Sequence, residues 1–332
     1  MTSGKKESAT SPIVKPVVDR QGWTTVSKDV STLFDDVASI VTHGGLRHYN
    51  SNTNNINNNH ISDSDSSSGL STPNDEEIHA PAAINVLQLA PGQPRSLSGV
   101  AMRSFLLGFI LSLCLFSSLA LAFMGISIWR APFFISTLCL FHFLEYWTTA
   151  RANPSKAKIS SFLLTSNGAA YNIAHSCALF EMMLSFFYFP RKIIFSQEWL
   201  QKSLLLLGMI LVIIGQVTRA LAILTAGPSF SHLVAYEKSK SHILIKHGIY
   251  SVLRHPSYFG FFWWGIGTQL VCGNTICLVG YALVLFWFFK IRIRGEESLL
   301  VEFFGKEYEE YAQRTIVAIP GLDYKNTKKQ KV

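Results

Sequence analysis

The chain has 332 residues, 48% of them hydrophobic, and a formal net charge of +8. Its charge is segregated: residues 1–100 hold 7 Lys and Arg against 10 Asp and Glu, and residues 101–332 hold 22 against 11. A basic excess carried by long apolar runs reads as positive-inside bias plus attraction to anionic lipid, and no aromatic-interleaved basic patch stands clear of those runs, which excludes a nucleic-acid partner.

Residues 1–100 are rich in Ser, Asn, Asp and Pro, with a near-uniform run from Asn50 to Asn59. Such a stretch buries too little apolar area to offset the ~1–2 kcal/mol per residue that backbone ordering costs, so it is predicted to be a disordered tail. The first 80 residues contain no apolar core of a cleavable signal peptide, which leaves the first hydrophobic span to act as the targeting signal.

A membrane-spanning helix needs ~20 mainly apolar residues. The first such stretches cover residues 104–128 and 132–149, separated by Trp129-Arg130-Ala131-Pro132, which combines an interfacial Trp, a charge and a helix-starting Pro. The next two cover residues 169–189, ending at Pro190-Arg191-Lys192, and 200–226, ending at Gly227-Pro228. Residues 229–255 are polar and charged. The chain is then apolar from Pro256 to Phe289 except around Cys272-Gly273-Asn274, where a turn divides it into two helices. The expected fold is an all-α integral membrane protein with about six transmembrane helices, the last two a helical hairpin. Residues 101–228 form the first four spans, residues 229–322 a catalytic, cofactor-binding region that ends in a cytosolic helix, and residues 323–332 a basic tail.

Basic residues in the loops orient the bundle. With the amino terminus in the cytosol, Arg151, Lys156, Lys158, Lys238, Lys240, Lys246 and Arg254 fall on the cytosolic side. Arg130, Arg191, Lys192 and Lys202 fall on the lumenal side, so the count favours both termini in the cytosol. The five cysteines, Cys114, Cys139, Cys177, Cys272 and Cys277, lie in or beside apolar segments at spacings of no zinc or disulfide framework, and read as small packing residues.

Ionisable groups at the bilayer centre cost at least ~2.5–3.5 kcal/mol each. His142, Glu145, His175, Glu181 and Arg219 fall inside predicted spans. Two readings stand side by side: they serve a site, or they pair with one another to hold the bundle. The paired Glu-x-x-His repeats of di-metal bundles are missing, so no metal site is expected.

The more specific signal begins at Ser231-His232 and continues through His242-Ile243-Leu244-Ile245 and Gly248-Ile249-Tyr250 to Arg254-His255-Pro256-Ser257-Tyr258. After the predicted turn come Arg292-Ile293-Arg294-Gly295-Glu296-Glu297 and Phe303-Phe304-Gly305-Lys306-Glu307-Tyr308. A lone His or Arg at a membrane boundary is ordinarily a snorkelling residue, but an ordered series of this length is not explained that way.

Over about residues 100–322 the chain resembles the isoprenylcysteine carboxyl methyltransferases of the endoplasmic reticulum, the family that also methylates prenylated fungal mating pheromone. Arg-His-Pro-x-Tyr alone is shared with membrane phospholipid methyltransferases and, more loosely, with sterol reductases. Ile266-Gly267-Thr268-Gln269 and the Phe-Phe-Gly-x-Glu-Tyr stretch point to the carboxyl methyltransferases. The resemblance implies S-adenosylmethionine as cofactor, in a cytosol-facing pocket contacted by His242, Ile243, Leu244, Ile245, Tyr250, His255, Pro256, Ser257, Tyr258 and Glu296. It implies that Arg292 holds the substrate carboxylate, so that Arg292 and Glu296 are the catalytic pair. Prenylated proteins or peptides are the implied partners, with the lipid bilayer, and residence in the endoplasmic reticulum membrane follows from the resemblance. Where animal members carry a cofactor-contacting Gln, this chain has Ala235.

The chemistry suits these residue types. A carboxylate with a reference pKa near ~4 is already ionised at neutral pH, so an in-line displacement on a sulfonium methyl needs no general base. Alignment and removal of water are what an enzyme must supply. A guanidinium forks onto a carboxylate as Lys cannot, and Arg292 and Glu296, spaced i,i+4, share a helix face. Glu296 could orient Arg292 and also balance a sulfonium. The competing readings are an NADPH-dependent membrane sterol reductase, a phospholipid N-methyltransferase, and a transporter or scaffold without catalysis. The first would leave the Arg-x-x-x-Glu pair without a role, the second would methylate headgroups, and the third would tolerate changes throughout the motif.

Overall fold

The computed structural model describes residues 86–188, 197–232 and 243–322. The Asn-rich run, the segment holding Ala235 and His242, and the terminal lysines lie outside the described residues.

All regular structure among the described residues is helical. The helices are α1 (Leu97–Phe123), α2 (Arg130–Ala152), α3 (Gly168–Phe187), α4 (Glu198–Ala226), α5 (Pro256–Cys272), α6 (Ile276–Phe304) and α7 (Lys306–Arg314). Four segments are long and apolar enough to cross a membrane: Leu97–Phe123, Ser127–Ala152, Glu198–Ser229 and Ile276–Phe304. Two of the six expected spans are not among them. Helix α5 has 17 residues, short of the ~20 a straight crossing needs, and α3 carries His175 and Glu181. Phe105, Phe109, Phe116, Ile213, Leu283 and Trp287 lie exposed on the outer faces, which suits hydrocarbon and not water.

Two helix limits differ from the expectation for a stated reason. Helix α1 begins at Leu97 and not at Ser104, because Ser96 caps it: the Ser96 Oγ accepts from the Gly99 N–H at 3.1 Å. Helix α6 does not end near Phe289 but runs through Lys290, Arg292 and Glu296 to Phe304. Charge marks where a helix can leave hydrocarbon, and these residues are good helix formers, so the helix continues. The predicted amphipathic C-terminal helix is therefore the end of α6 followed by the short α7. The break at Cys272-Gly273-Asn274 stands: α5 ends at Cys272, with Gly273 in the left-handed region at φ +68°.

Helices α4 and α5 make the most extensive contact. A Cβ placed on Gly215 would lie 2.6 Å from the Gly260 carbonyl oxygen, and one on Gly260 would lie 2.6 Å from the Gly215 carbonyl oxygen. Gly208 and Gly267 repeat the arrangement further along the same faces, so glycines let the two backbones touch. This seam sets Arg219, one turn beyond Gly215, against the first turn of α5. The chain after α7 folds back: the Arg254 N–H donates to the Ile316 carbonyl (3.0 Å) and the Ile316 N–H to the Val252 carbonyl (3.1 Å). Val317, Ile319 and Leu322 then bury themselves against Phe262, Phe289 and Ile293.

Candidate functional site

A cavity of about 190 Å³ opens where the start of α5 meets the end of α4 and the last turns of α6, a volume beyond that of a few ordered waters. Of the residues predicted to contact a cofactor, Ile243, Leu244, Ile245, Tyr250, His255, Pro256, Ser257, Tyr258 and Glu296 line it. His242 lies outside the described residues, and Arg292 sits beside the cavity and not on its wall.

The start of α5 concentrates the chemistry. His255 stands at the cap position and Pro256 at the first helical position, where its missing N–H costs nothing. Arg254, preceding them, is pinned by donation from Nε to the Glu297 carboxylate (2.6 Å) and from Nη1 to the Thr315 carbonyl (2.7 Å). The same Glu297 oxygen is 3.2 Å from His255 Nε2. Tyr258, one turn into the helix, places its hydroxyl between the two residues singled out on α6. It donates to Glu296 Oε2 at 2.5 Å and accepts from Arg292 Nε at 3.1 Å. Arg292 Nη2 donates to the His232 carbonyl at 2.6 Å. The i,i+4 pair is thus bridged by a phenol, and no direct ion pair joins Arg292 to Glu296 among the described residues.

Beneath this lies a second, deeper assembly. The Arg219 guanidinium forks onto Glu145, with Nε donating to one carboxylate oxygen and Nη2 to the other (3.0 Å). Its Nη1 donates to both the carbonyl (3.2 Å) and the hydroxyl (3.0 Å) of Ser257. The rings of Phe141 and Phe261 lie 5.4 and 5.3 Å from its central carbon. Glu145 is 1% exposed, so this charge is viable only because both oxygens are matched. Of the intramembrane ionisable groups, then, Glu145 and Arg219 pair with one another, and Arg219 also lines the cavity. His142 meets the Phe162 carbonyl (2.8 Å) and the Tyr171 hydroxyl (3.1 Å) within the bundle. Glu181 accepts from the Thr275, Ile276 and Cys277 N–H groups at the start of α6.

The residues to which motif reading assigned no role are Glu297, His232, Tyr308 and Tyr311. The Glu296-Glu297 doublet was a signal: consecutive helix positions diverge, so one carboxylate faces Tyr258 while its neighbour faces Arg254. Tyr311 donates to the Tyr250 carbonyl (2.8 Å), and the buried Tyr308 hydroxyl has no hydrogen-bond partner among the described residues. Burial, followed by the Glu296 charge, pushes the Tyr250 hydroxyl above the usual phenol range, and burial raises Tyr308 and Tyr311 likewise. All three remain hydrogen-bond donors at neutral pH. Burial lowers the pKa of His232, so its ring is neutral there.

The arrangement offers a carboxylate facing a cavity, a guanidinium beside it, phenols around it and a buried, charge-compensated floor. No group of three or more His, Cys, Asp or Glu among the described residues is placed to hold a metal ion. Such a fold and site define a helical membrane protein with a polar, charge-bearing cavity where the α4, α5 and α6 ends meet. Residues 206–302 match the isoprenylcysteine carboxyl methyltransferase (ICMT) family. The chain is 47% identical over 221 residues to a protein-S-isoprenylcysteine O-methyltransferase of Saccharomyces cerevisiae, covering 67% of this chain and 90% of that protein. It is 36% identical over 239 residues to the Homo sapiens protein of the same name, covering 72% of this chain and 80% of that one. A solved structure of a eukaryotic intramembrane Ras methyltransferase, ICMT, superimposes with a TM-score of 0.60 at 37% identity, over 68% of this chain and 77% of that one. The chain belongs to the isoprenylcysteine carboxyl methyltransferase family and is a methyltransferase.

Proposed function

We propose that this protein esterifies the C-terminal carboxylate of prenylated cysteine on CaaX-processed proteins and peptides, with S-adenosylmethionine as methyl donor. The observation that carries the reading is the bridge Arg292–Tyr258–Glu296, which sets an anion-binding fork and a cavity-facing carboxylate on either side of one phenol.

The cavity suits the proposed donor. Glu296 matches a sulfonium charge, the Tyr250 and Tyr258 rings offer flat apolar surface, and the unpartnered Tyr308 hydroxyl is a donor to spare. Ile243, Leu244, Ile245, His255, Pro256 and Ser257 complete the wall, with His242 proposed as a further contact. Bound there, S-adenosylmethionine would supply an electrophilic methyl group. The chain's own work is to hold the acceptor carboxylate on Arg292, exclude water, and keep the phenols protonated. No residue need remove a proton, because the acceptor is already ionised. Both partners lose their charge in the transfer, and a desolvated site favours that.

We propose further that the chain crosses the membrane six times, with α5 and α6 as a hairpin and both termini in the cytosol, and that residues 229–322 are the catalytic region of an endoplasmic reticulum enzyme. A farnesyl chain is drawn into hydrocarbon at ~0.8 kcal/mol per buried CH₂-sized group while its carboxylate seeks water, so the site belongs at a membrane–cytosol boundary. The test is a microsomal assay with labelled donor and a panel of prenylcysteine, sterol and phospholipid acceptors. Label is expected in a base-labile ester on prenylcysteine alone. Label on phospholipid headgroups, or reduction of the sterol without any methyl ester, would overturn the assignment.

A further inference from the structure

The reading above leaves unexplained how a long, half-buried guanidinium is kept in one place, and a neighbouring loop residue answers that. His232 follows α4 by a few residues. Its backbone carbonyl accepts from Arg292 Nη2 at 2.6 Å. Its ring sits on the cavity wall, with Nδ1 3.8 Å from Glu145 Oε2 and the Phe230 ring edge-on at 5.1 Å between centroids. Glu145 is itself fixed by the fork of Arg219, and Arg219 by Ser257. A continuous set of contacts therefore runs from the α2–α4–α5 floor through the His232 ring to the His232 carbonyl, and from there to Arg292 on α6.

We propose that His232 is a positioning residue for the acceptor carboxylate. Its side chain, seated on the Glu145–Arg219 pair, holds its carbonyl where it clamps one edge of the Arg292 guanidinium. With Nε on Tyr258 and one Nη2 proton on His232, that edge is occupied by the protein, and the Nη1–Nη2 end is the one presented to a carboxylate. Arginine carries several rotatable bonds, so an unclamped guanidinium would have to be ordered by each incoming acceptor at the expense of affinity. The contact acts on charge, and this gives it a signature that simple packing lacks.

This inference rests on the proposed role of Arg292, and the experiment separates the two. Binding of N-acetyl-S-farnesylcysteine and of its methyl ester is measured on wild type, His232→Ala and His232→Gln, with cofactor affinity measured in parallel. Wild type should prefer the acid. In His232→Ala the acid should weaken about tenfold, as for a compromised hydrogen bond to a charged group, while the ester stays within about twofold. His232→Gln, neutral and of similar reach, should recover part of the loss. Equal weakening of acid and ester would make His232 a packing residue only, and overturn the proposal. A preference for the acid that survives intact in His232→Ala also overturns it, and leaves the function standing. Acid and ester bound alike by wild type would remove the carboxylate role of Arg292 and this inference with it.

Discussion

The α4–α5 seam and the last third of α6 both feed the cavity, and they are built by different means. On the seam, Gly208, Gly215, Gly260 and Gly267 bring two backbones into contact, and the buried Arg219 joins Glu145 to Ser257. Nothing there can move without opening a void or stranding a charge. On α6, Arg292 and Glu296 are half-buried and, among the described residues, held by hydrogen bonds through Tyr258 and His232. The floor is specified by sterics and low dielectric, the rim by polar contacts that a ligand can join. Substitutions in the floor should therefore cost stability, and those in the rim should cost binding or turnover with the fold intact.

The largest expected effect is in the floor. Glu145→Ala strands the buried Arg219 and should destabilise by about 3–5 kcal/mol, read as a collapse of the monodisperse peak after mild heating in detergent. Unchanged thermal stability would mean that Glu145 is not the counter-charge. Next is Gly260→Val, which forces a side chain into the Gly215 backbone and should cost about 1–3 kcal/mol, whereas Gly280→Val, where a Cβ meets nothing within 4 Å, should be tolerated. Similar losses at both glycines would contradict the seam as the rigid element.

In the rim, Arg292→Lys should leave unfolding unaltered and lower turnover on N-acetyl-S-farnesylcysteine by about tenfold or more, since an ammonium cannot fork. Wild-type activity in that variant would remove the proposed carboxylate contact. Glu296→Gln should be milder, a several-fold loss of cofactor affinity by calorimetry with acceptor binding retained, and an unaltered affinity would remove its proposed charge-balancing role.

What the sequence discloses differs between the same two regions. Apolar runs locate every long helix, because hydrophobic length is a property of consecutive residues. Pro256 and Gly273 mark both ends of α5 through backbone chemistry that belongs to those residue types. The rim motif is legible for the same reason: the nine described residues predicted to contact a cofactor all reach one cavity. The floor is not legible in this way. Glu145 and Arg219 are 74 positions apart, and a charge in a span announces its cost without naming its partner. The role proposed for His232 runs through its carbonyl, which every residue possesses, so the Ser231-His232 signal marks the residue without disclosing that role. The end of α6 was misplaced because charge reports where a helix meets polar surroundings, while continuation of the helix depends on propensity and on the packing of Phe289 and Ile293 beneath the returning C-terminal strap.

The smallest effect sharpens the contrast from outside both regions. Lys246 and Glu307, next in sequence to the cavity-lining Ile245 and Tyr308, form a 2.7 Å ion pair with side chains 48% and 54% exposed. The pair joins the segment after the proposed cofactor-contacting Ile245 to α7, and by proximity alone it looks like a latch. Exposure argues otherwise: an ion pair in water gains at most about 0–1 kcal/mol once desolvation and side-chain entropy are counted, and salt screens it. Lys246→Ala and Glu307→Ala should each leave thermal stability, cofactor affinity and turnover within about twofold of wild type. Raising ionic strength should leave the wild-type parameters equally undisturbed. A cofactor affinity that falls in both variants and falls again in wild type at high salt would extend the rim to include this pair.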